Sequence, residues 1–157
     1  MRTWLALFLV LVCACARGGD RGVVGVPADD AGMNAAIEQA RSTLPAFLEE
    51  LADARPSATY SIKARFEEDG QVEHIWLVDP RHDAGVIRGV LGNEPVYLSG
   101  VALGQRVEVP RESVSDWVVY ESGRYRGGFT LRCLRDRMTA EERQQMDEQM
   151  GAVPSEP

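Results

Sequence analysis

The stretch YSIKARFEEDGQVEHIWLV, Tyr60–Val78, decides the fold because its apolar residues follow a period of two on both sides of a turn signal. Apolar and polar residues alternate before the turn, which is the pattern of a half-buried strand. Asp69-Gly70 is a dipeptide typical of tight hairpins, and a second strand is expected over Val72–Val78. The faces of this second strand are predicted to be Glu73, Ile75 and Leu77 on one side and His74, Trp76 and Val78 on the other. The stretch therefore predicts a β-hairpin.

The residues before the hairpin follow a helical period instead. Asp29 and Asp30 offer an N-cap, and apolar residues recur at helical spacing from Met33 to Leu51. Pro45 interrupts this pattern. The segment therefore predicts either one kinked helix or two helices in tandem, with Pro45 at the start of the second.

Short strands separated by turn signals follow the hairpin. They are expected at Val86–Leu91, Arg106–Val109 and Trp117–Tyr120, with GNEP as a turn after the first. Residues 129–137 fit either a helix or a strand, and Thr139–Glu142 is a capping box that starts a last helix. This order predicts an α+β fold, in which an antiparallel sheet of about five strands is flanked by an N-terminal helix and C-terminal helices.

Length and charge limit the organisation of the chain and its partners. The 157 residues suit one domain, expected over 30–150, with a flexible tether over 15–29 and a disordered tail over 151–157. The net charge of −7 argues against nucleic-acid binding, which needs a basic surface. The sequence contains no recognised cofactor motif, so we predict neither a cofactor nor a metal, and we expect a monomer.

The first residues resemble a bacterial lipoprotein signal. Arg2 precedes an apolar run of nine residues, which is too short to span a bilayer but has the length of a secretory signal core. The run ends Val12-Cys13-Ala14-Cys15, where an aliphatic residue stands three positions before Cys15 and a small residue directly before it. Because this resembles a lipobox, residues 1–14 are predicted to be a signal peptide. The alternative is a plain secretory signal whose cysteines are incidental.

The lipobox resemblance implies a lipid on Cys15 that anchors the chain to a membrane through its acyl chains. Ala16 follows the cysteine where Asp would direct retention, which implies the outer membrane, facing the periplasm. Cys133 would then be the one cysteine left in the domain. Its apolar neighbours Leu131 and Leu134 favour a small core residue over a reactive thiol.

Five segments, taken in order, resemble a known family. They are MNAAIEQARSTLPAFL, VEHIWL, GVLGNEP, SDW and GGFTLRCLRDRMTAEER. Together they are similar to the YegJ-like bacterial proteins, known as domain of unknown function 2314, over roughly residues 30 to 147. The resemblance implies a shared fold and an envelope setting for members with lipoprotein signals, and it implies no activity. The residues that carry it are Glu73, His74, Trp76, Gly92, Asn93, Glu94, Pro95, Asp116, Trp117, Gly127, Gly128 and Arg132.

One set of candidate functional residues surrounds the two histidines. His74 and His82, with Asp79 and Asp83 nearby, have general-base character, since histidine titrates near neutral pH. They would support a small hydrolase-like enzyme that uses His74 or His82 with nearby carboxylates. A metal site needs three or four compactly spaced ligands, which this cluster does not provide.

A second set predicts a binding surface and comprises His74, Asn93, Glu94, Asp116 and Arg132. Loops on a rigid sheet usually carry recognition residues, and apposed arginine and carboxylate groups favour a charged or polar partner. We therefore favour a non-catalytic domain that binds another protein, such as an envelope protein, or a small ligand.

These residues also have structural explanations. His74 beside Trp76 on one strand face fits a half-buried histidine, and Asp116-Trp117 fits the start of a strand with a core indole. Asn93 and Pro95 are turn formers for local backbone reasons. The arginine-rich segment Arg124–Arg137 is either a basic patch or a solvated helix face with i,i+4 ion pairs such as Arg132–Asp136 and Arg137–Glu141. Gly127-Gly128 is most simply backbone that needs conformational freedom at a helix entrance.

Overall fold

The computed structural model describes residues 25–155, and within them helix, strands and helices follow one another in the predicted order. The helices are α1 (Ala31–Ala52), α2 (Phe129–Arg135) and α3 (Ala140–Met150). The strands are β1 (Thr59–Glu68), β2 (Gln71–Asp83), β3 (Val86–Leu91), β4 (Arg106–Pro110), β5 (Val114–Glu121), β6 (Arg124–Gly127) and β7 (Val153–Pro154). The fold is therefore α+β. The predicted signal over 1–14 and most of the predicted tether lie outside the described residues.

The strands form one mixed sheet in the order β4-β3-β2-β1-β5-β6-β7. All neighbours are antiparallel except β6 and β7, which are parallel. The predicted sheet of about five antiparallel strands is thus corrected to a mixed sheet of seven strands within residues 25–155. β6 and β7 were missed because segments this short show too little alternation to be recognised.

β7 also corrects the prediction of a disordered tail from residue 151. Val153 donates its backbone N–H to the Gly123 carbonyl at 3.0 Å, and Ser155 donates to the Tyr125 carbonyl at 2.8 Å. Ala152 is buried beside Val118 and Tyr125. The chain after α3 therefore completes the edge of the sheet.

The predicted hairpin is confirmed. β1 and β2 pair from Ser61 opposite Val78 to Glu68 opposite Gln71, and the turn residues Asp69 and Gly70 both have positive φ, as a type I′ turn requires. The alternation also holds. Ile75 and Leu77 are fully buried on the face that α1 covers, and His74, Trp76 and Val78 are half-buried on the other face.

α1 is one continuous helix with Pro45 inside it, so of the two predicted alternatives the tandem arrangement is wrong. The Asp30 side chain caps it by accepting the Met33 N–H at 2.8 Å. Its apolar stripe packs on the sheet and buries Phe47 against Tyr60 and Trp117. The indole N–H of Trp117 donates back to the Ala40 carbonyl at 3.1 Å, which fixes the helix on the sheet.

α2 and α3 settle the C-terminal part of the chain. Residues 129–135 are helical, and the predicted capping box between Thr139 and Glu142 is present at the start of α3. Gly127 enters α2 with φ near 70°, and a Cβ on it would lie 2.3 Å from the Trp117 carbonyl oxygen, so only glycine fits. No helix within residues 25–155 has both the length and the apolarity needed to cross a membrane.

Candidate functional site

The structure divides the predicted site residues among three places. Asn93 and Glu94 lie in the long connection between β3 and β4. His74 and Asp116 lie on the sheet face that α1 does not cover, and Arg132 lies on α2 against β6. They do not converge on one site.

The β3–β4 loop, defined as residues 92–105, is closed at its base. Leu91 donates its N–H to the Gln105 carbonyl at 2.9 Å, and Gly104 donates to the Leu91 carbonyl at 2.9 Å. Compact loops of this length whose ends meet are uncommon in small domains and are frequently functional. The loop is therefore a candidate recognition element.

Glu73 holds the middle of the β3–β4 loop from below. Its side chain leaves β2 on the α1 face and is only 4% exposed. Its carboxylate accepts the backbone N–H of Val96 at 3.0 Å and of Tyr97 at 3.1 Å. Because a buried carboxylate is costly unless it is hydrogen-bonded, this contact fixes both the strand residue and the loop.

Two further carboxylates hold the loop at other points. Glu68 accepts the Ser99 N–H at 2.7 Å and also the Ser99 hydroxyl. These hydrogen bonds lower the pKa of Glu68 because they favour its charged form. Glu94 accepts the Leu103 N–H at 3.3 Å. The loop backbone is therefore fixed by hydrogen bonds that leave its apolar side chains free to face elsewhere.

Asn93 has a local structural role at the start of the loop. Its side-chain oxygen accepts the Trp76 N–H at 3.2 Å, next to the Gly92 N–H that donates to the Trp76 carbonyl at 2.8 Å. These contacts extend the pairing of β2 with β3 by one step. The predicted turn at GNEP is thus the first part of a much longer loop.

The tip of the loop is apolar and exposed. Residues 95–104, PVYLSGVALG, contain no charged side chain in a chain that is 26% charged. Leu98 and Val101 pack against the core, whereas Tyr97 is 47% exposed and Leu103 is 53% exposed. A rigid loop thus presents two apolar side chains to solvent.

Asp116 is buried on β5, which corrects its predicted place on a binding surface. Its carboxylate accepts the N–H groups of Phe129 at 3.1 Å and Thr130 at 2.8 Å, so it caps the start of α2. The Thr130 hydroxyl donates to it at 2.6 Å. Burial raises the pKa of Asp116, although the Thr130 hydrogen bonds and the charge of Lys63 act in the opposite direction.

Lys63 completes this polar network. Its ammonium donates to the Thr130 hydroxyl at 3.2 Å and lies 5.3 Å from the centre of the Trp76 ring. Burial lowers the pKa of Lys63, and the charge of Asp116 opposes that shift. The network joins β1, β5 and α2, so its role is to hold these three elements together.

His74 contacts a hydroxyl and not a carboxylate. Its Nδ1 lies 2.8 Å from the Oγ of Ser115, a buried residue that is inserted as a bulge in β5 opposite β1. Burial, and then the charges of Lys63, Arg65 and Arg41, lower the pKa of His74 to about 4. His74 is therefore neutral near pH 7.

The other histidine lies elsewhere on β2. His82, Asp79 and Asp83 are exposed, and Asp83 lies 3.9 Å from Arg88. Within residues 25–155, no three His, Cys, Asp or Glu side chains are arranged to hold a metal ion. The two histidines and their carboxylates thus do not meet in one pocket.

The side chain of Arg132 forms hydrogen bonds with backbone carbonyl groups. Its guanidinium donates to the carbonyls of Gly127 at 2.8 Å, Ser155 at 3.1 Å and Tyr125 at 3.2 Å, and it lies 5.3 Å from the centre of the Tyr125 ring. Arg132 therefore joins α2 to β6 and to the end of β7.

Other arginines of the same segment have long-range partners, which corrects the predicted i,i+4 pairing. Arg126 pairs with Glu50, Arg135 with Asp147 and Arg137 with Asp30, each at 2.7 Å. Among the described residues, these three ion pairs join helices and strands that are distant in sequence.

Comparison with known proteins places the chain in a family. The family model described as "Uncharacterized protein conserved in bacteria" (DUF2314) matches residues 30–153. The chain belongs to the DUF2314 family. The matched region includes the whole β3–β4 loop, the polar network and the first residue of β7.

Two relatives are similar over much of the chain. A protein named for ankyrin repeats in Neisseria meningitidis serogroup B is 37% identical over 142 residues, which cover 85% of this chain and 56% of that protein. The uncharacterized protein YegJ of Escherichia coli K12 is 31% identical over 103 residues, which cover 66% of this chain and 67% of YegJ. This DUF2314 member thus spans little more than half the length of the Neisseria protein. No solved structure matches it.

Sequence reasoning missed the residues that shape the loop. Tyr97, Leu103 and the bracing role of Glu73 were not predicted. The uncharged run over residues 95–104 was a usable signal, because it is unusual in an acidic chain and lacks the period of a strand or a helix. The position of Glu73 on the buried face of β2 was a second signal.

Proposed function

We propose that this DUF2314 protein is a lipid-anchored bacterial envelope protein whose α+β domain binds a partner through the β3–β4 loop and does not catalyse a reaction. The sequence Val12-Cys13-Ala14-Cys15 supports an anchor on Cys15 in the outer membrane, facing the periplasm. The observation that carries the binding function is the exposed pair Tyr97 and Leu103 on a braced, uncharged loop.

The bracing matters energetically. Ordering a flexible loop on binding costs conformational entropy, and a loop already held in place avoids most of that cost. Glu73, Glu68 and Glu94 fix four backbone N–H groups of the loop before any partner arrives. Tyrosine is among the side chains that most often anchor protein interfaces, and the backbone of Tyr97 is fixed by Glu73.

The geometry gives less support to a hydrolase. Such an enzyme would need His74 or His82 beside a carboxylate and an accessible nucleophile. The hydroxyl next to His74 belongs to Ser115, which is fully buried, and His82 lies at the exposed end of β2.

Two measurements test the proposal. The anchor is tested by fractionating cells that express the wild type or Cys15→Ser, with mass spectrometry of the mature amino terminus. The binding function is tested by replacing Tyr97 and Leu103 with serine and measuring whether a specific partner is still captured from membranes.

A further inference from the structure

We infer that the partner is a protein with an apolar pocket bordered by lysine or arginine side chains, into which the β3–β4 loop inserts Tyr97 and Leu103. This inference rests on the proposed function and adds the chemistry of the partner to it. It is carried by the charges next to the apolar tip.

Three carboxylates lie directly beneath or beside the tip. Glu73 contacts Tyr97, Glu68 contacts Ser99 and Glu94 contacts Leu103. All three are acceptors of loop N–H groups, and none forms a salt bridge with any of the residues that the structure describes. Elsewhere in the domain, carboxylates such as Glu50 and Asp147 do pair with arginines. Glu94 is exposed and Glu68 is half-buried, so these two carboxylates place negative charge beside the apolar tip, whereas Glu73 lies buried beneath it.

Electrostatic complementarity decides between the occupants. Charges at the rim of an interface select partners of opposite sign and repel like charge. An anionic bilayer surface would be repelled by Glu68 and Glu94, so membrane insertion of the tip is disfavoured even for an anchored protein. A partner with an apolar pocket and a basic rim would complement both the apolar tip of the loop and the carboxylates beside it.

A second copy of the chain fits poorly as the occupant. Its arginines Arg126, Arg135 and Arg137 are bonded to carboxylates, and Arg132 is bonded to three carbonyls. Using these cations as a rim would break contacts that join its own elements. Other arginines, such as Arg81, Arg106 and Arg124, are exposed, but two copies that each carry a net charge of −7 repel one another, so the proposed partner is a different protein.

The test uses the full chain in bacteria, with the photo-crosslinking residue benzoylphenylalanine at position 97 and, as a matched control, at position 153. Val153 is also exposed and apolar, but it lies on β7 at the opposite edge of the sheet from β4. We expect a protein adduct from position 97 and none of that mass from position 153. Peptide mapping should place the adduct at an apolar residue with lysine or arginine nearby.

The role of charge is tested in the same cells with Glu68→Gln plus Glu94→Gln. Glutamine keeps a side-chain oxygen for the Ser99 and Leu103 N–H groups, so the loop stays braced while two charges are lost. The adduct yield should fall about three- to tenfold. Glu49→Gln plus Glu112→Gln removes two exposed charges elsewhere and should leave the yield unchanged.

The outcomes separate the two proposals. A yield that is unaffected by Glu68→Gln plus Glu94→Gln, or an adduct that maps to an acidic surface, would overturn the partner chemistry while binding through the loop still stands. A lipid adduct from position 97 would overturn the partner chemistry in favour of a bilayer, and an adduct with another copy of this chain would overturn it in favour of self-association. If position 97 gives no adduct in correctly processed protein, binding through the loop fails as well.

Discussion

The buried carboxylate of Glu73 accepts the backbone N–H of Tyr97 at 3.1 Å, so a core-facing strand residue fixes a loop residue whose ring is half exposed. This relationship makes the position of the β3–β4 loop depend on the core of the sheet. The polar residues of this domain thus have two roles. Some join the helices and strands of the scaffold, and others hold the loop so that its apolar side chains remain exposed.

Glu73→Ala should lower the free energy of unfolding by about 2–3 kcal/mol, because it removes a charged acceptor and leaves two loop N–H groups unsatisfied. Urea denaturation measures this change. Hydrogen exchange at Val96 and Tyr97 should accelerate more than exchange in β1. The exposed control Glu49→Gln should change stability by less than about 0.5 kcal/mol. An equally small change for Glu73→Ala would show that the carboxylate does not brace the loop.

Arg132→Ala should also destabilise the domain by about 2–3 kcal/mol, because three carbonyls lose a charged donor and α2 loses its link to β6 and β7. Arg132→Lys should recover only part of this loss, since one ammonium cannot reproduce the planar fork of donors. Thermal unfolding of the two variants measures both effects. Loss of partner capture at wild-type stability would instead return Arg132 to the binding surface.

His74 should make stability depend on pH between about 4 and 6.5. Its pKa in the folded protein is lowered to about 4 from 6.5, first by burial and then by the charges of Lys63, Arg65 and Arg41. The unfolded chain therefore binds more protons over this range, and the free energy of unfolding rises with pH across it. His74→Asn, which does not titrate, should show a flatter rise in urea denaturation at several pH values. A slope equal to that of the wild type would show that His74 titrates normally.

Cys15→Ser should release the protein from membranes or leave it unprocessed, because the proposed anchor is a set of acyl chains attached to Cys15. Cell fractionation and the mass of the mature amino terminus measure this. A mature wild-type protein that begins at an unmodified residue other than Cys15 would mean a plain secretory signal.

Local patterns predicted the parts of the fold that depend on neighbours in sequence. The hairpin at Asp69-Gly70, the N-cap at Asp30 and the capping box at Thr139 each need only a few adjacent residues. These features were confirmed because the physical cause and the signal lie in the same short segment.

Contacts between distant segments could not be read in this way. The burial of Asp116 depends on α2 beginning next to β5, and the roles of Arg132 depend on β7 closing the sheet. Both residues looked like surface charges in the sequence because most of their partners are backbone groups, which carry no sequence signal, and the Thr130 hydroxyl that also bonds Asp116 lies 14 residues away. The exposed tip at Tyr97 and Leu103 was missed for the converse reason, since apolar residues are expected inside.

The most direct test of the account uses two double variants as baits. It compares how much each captures of the partner protein that crosslinks at position 97. Tyr97→Ser plus Leu103→Ser removes the exposed tip, and Val72→Ser plus Val153→Ser removes two other exposed apolar side chains. Quantitative mass spectrometry after affinity capture should show at least about a tenfold loss for the first pair, with both folds stable to within about 1 kcal/mol of the wild type. Wild-type capture by the Tyr97 and Leu103 variant would contradict binding through the β3–β4 loop.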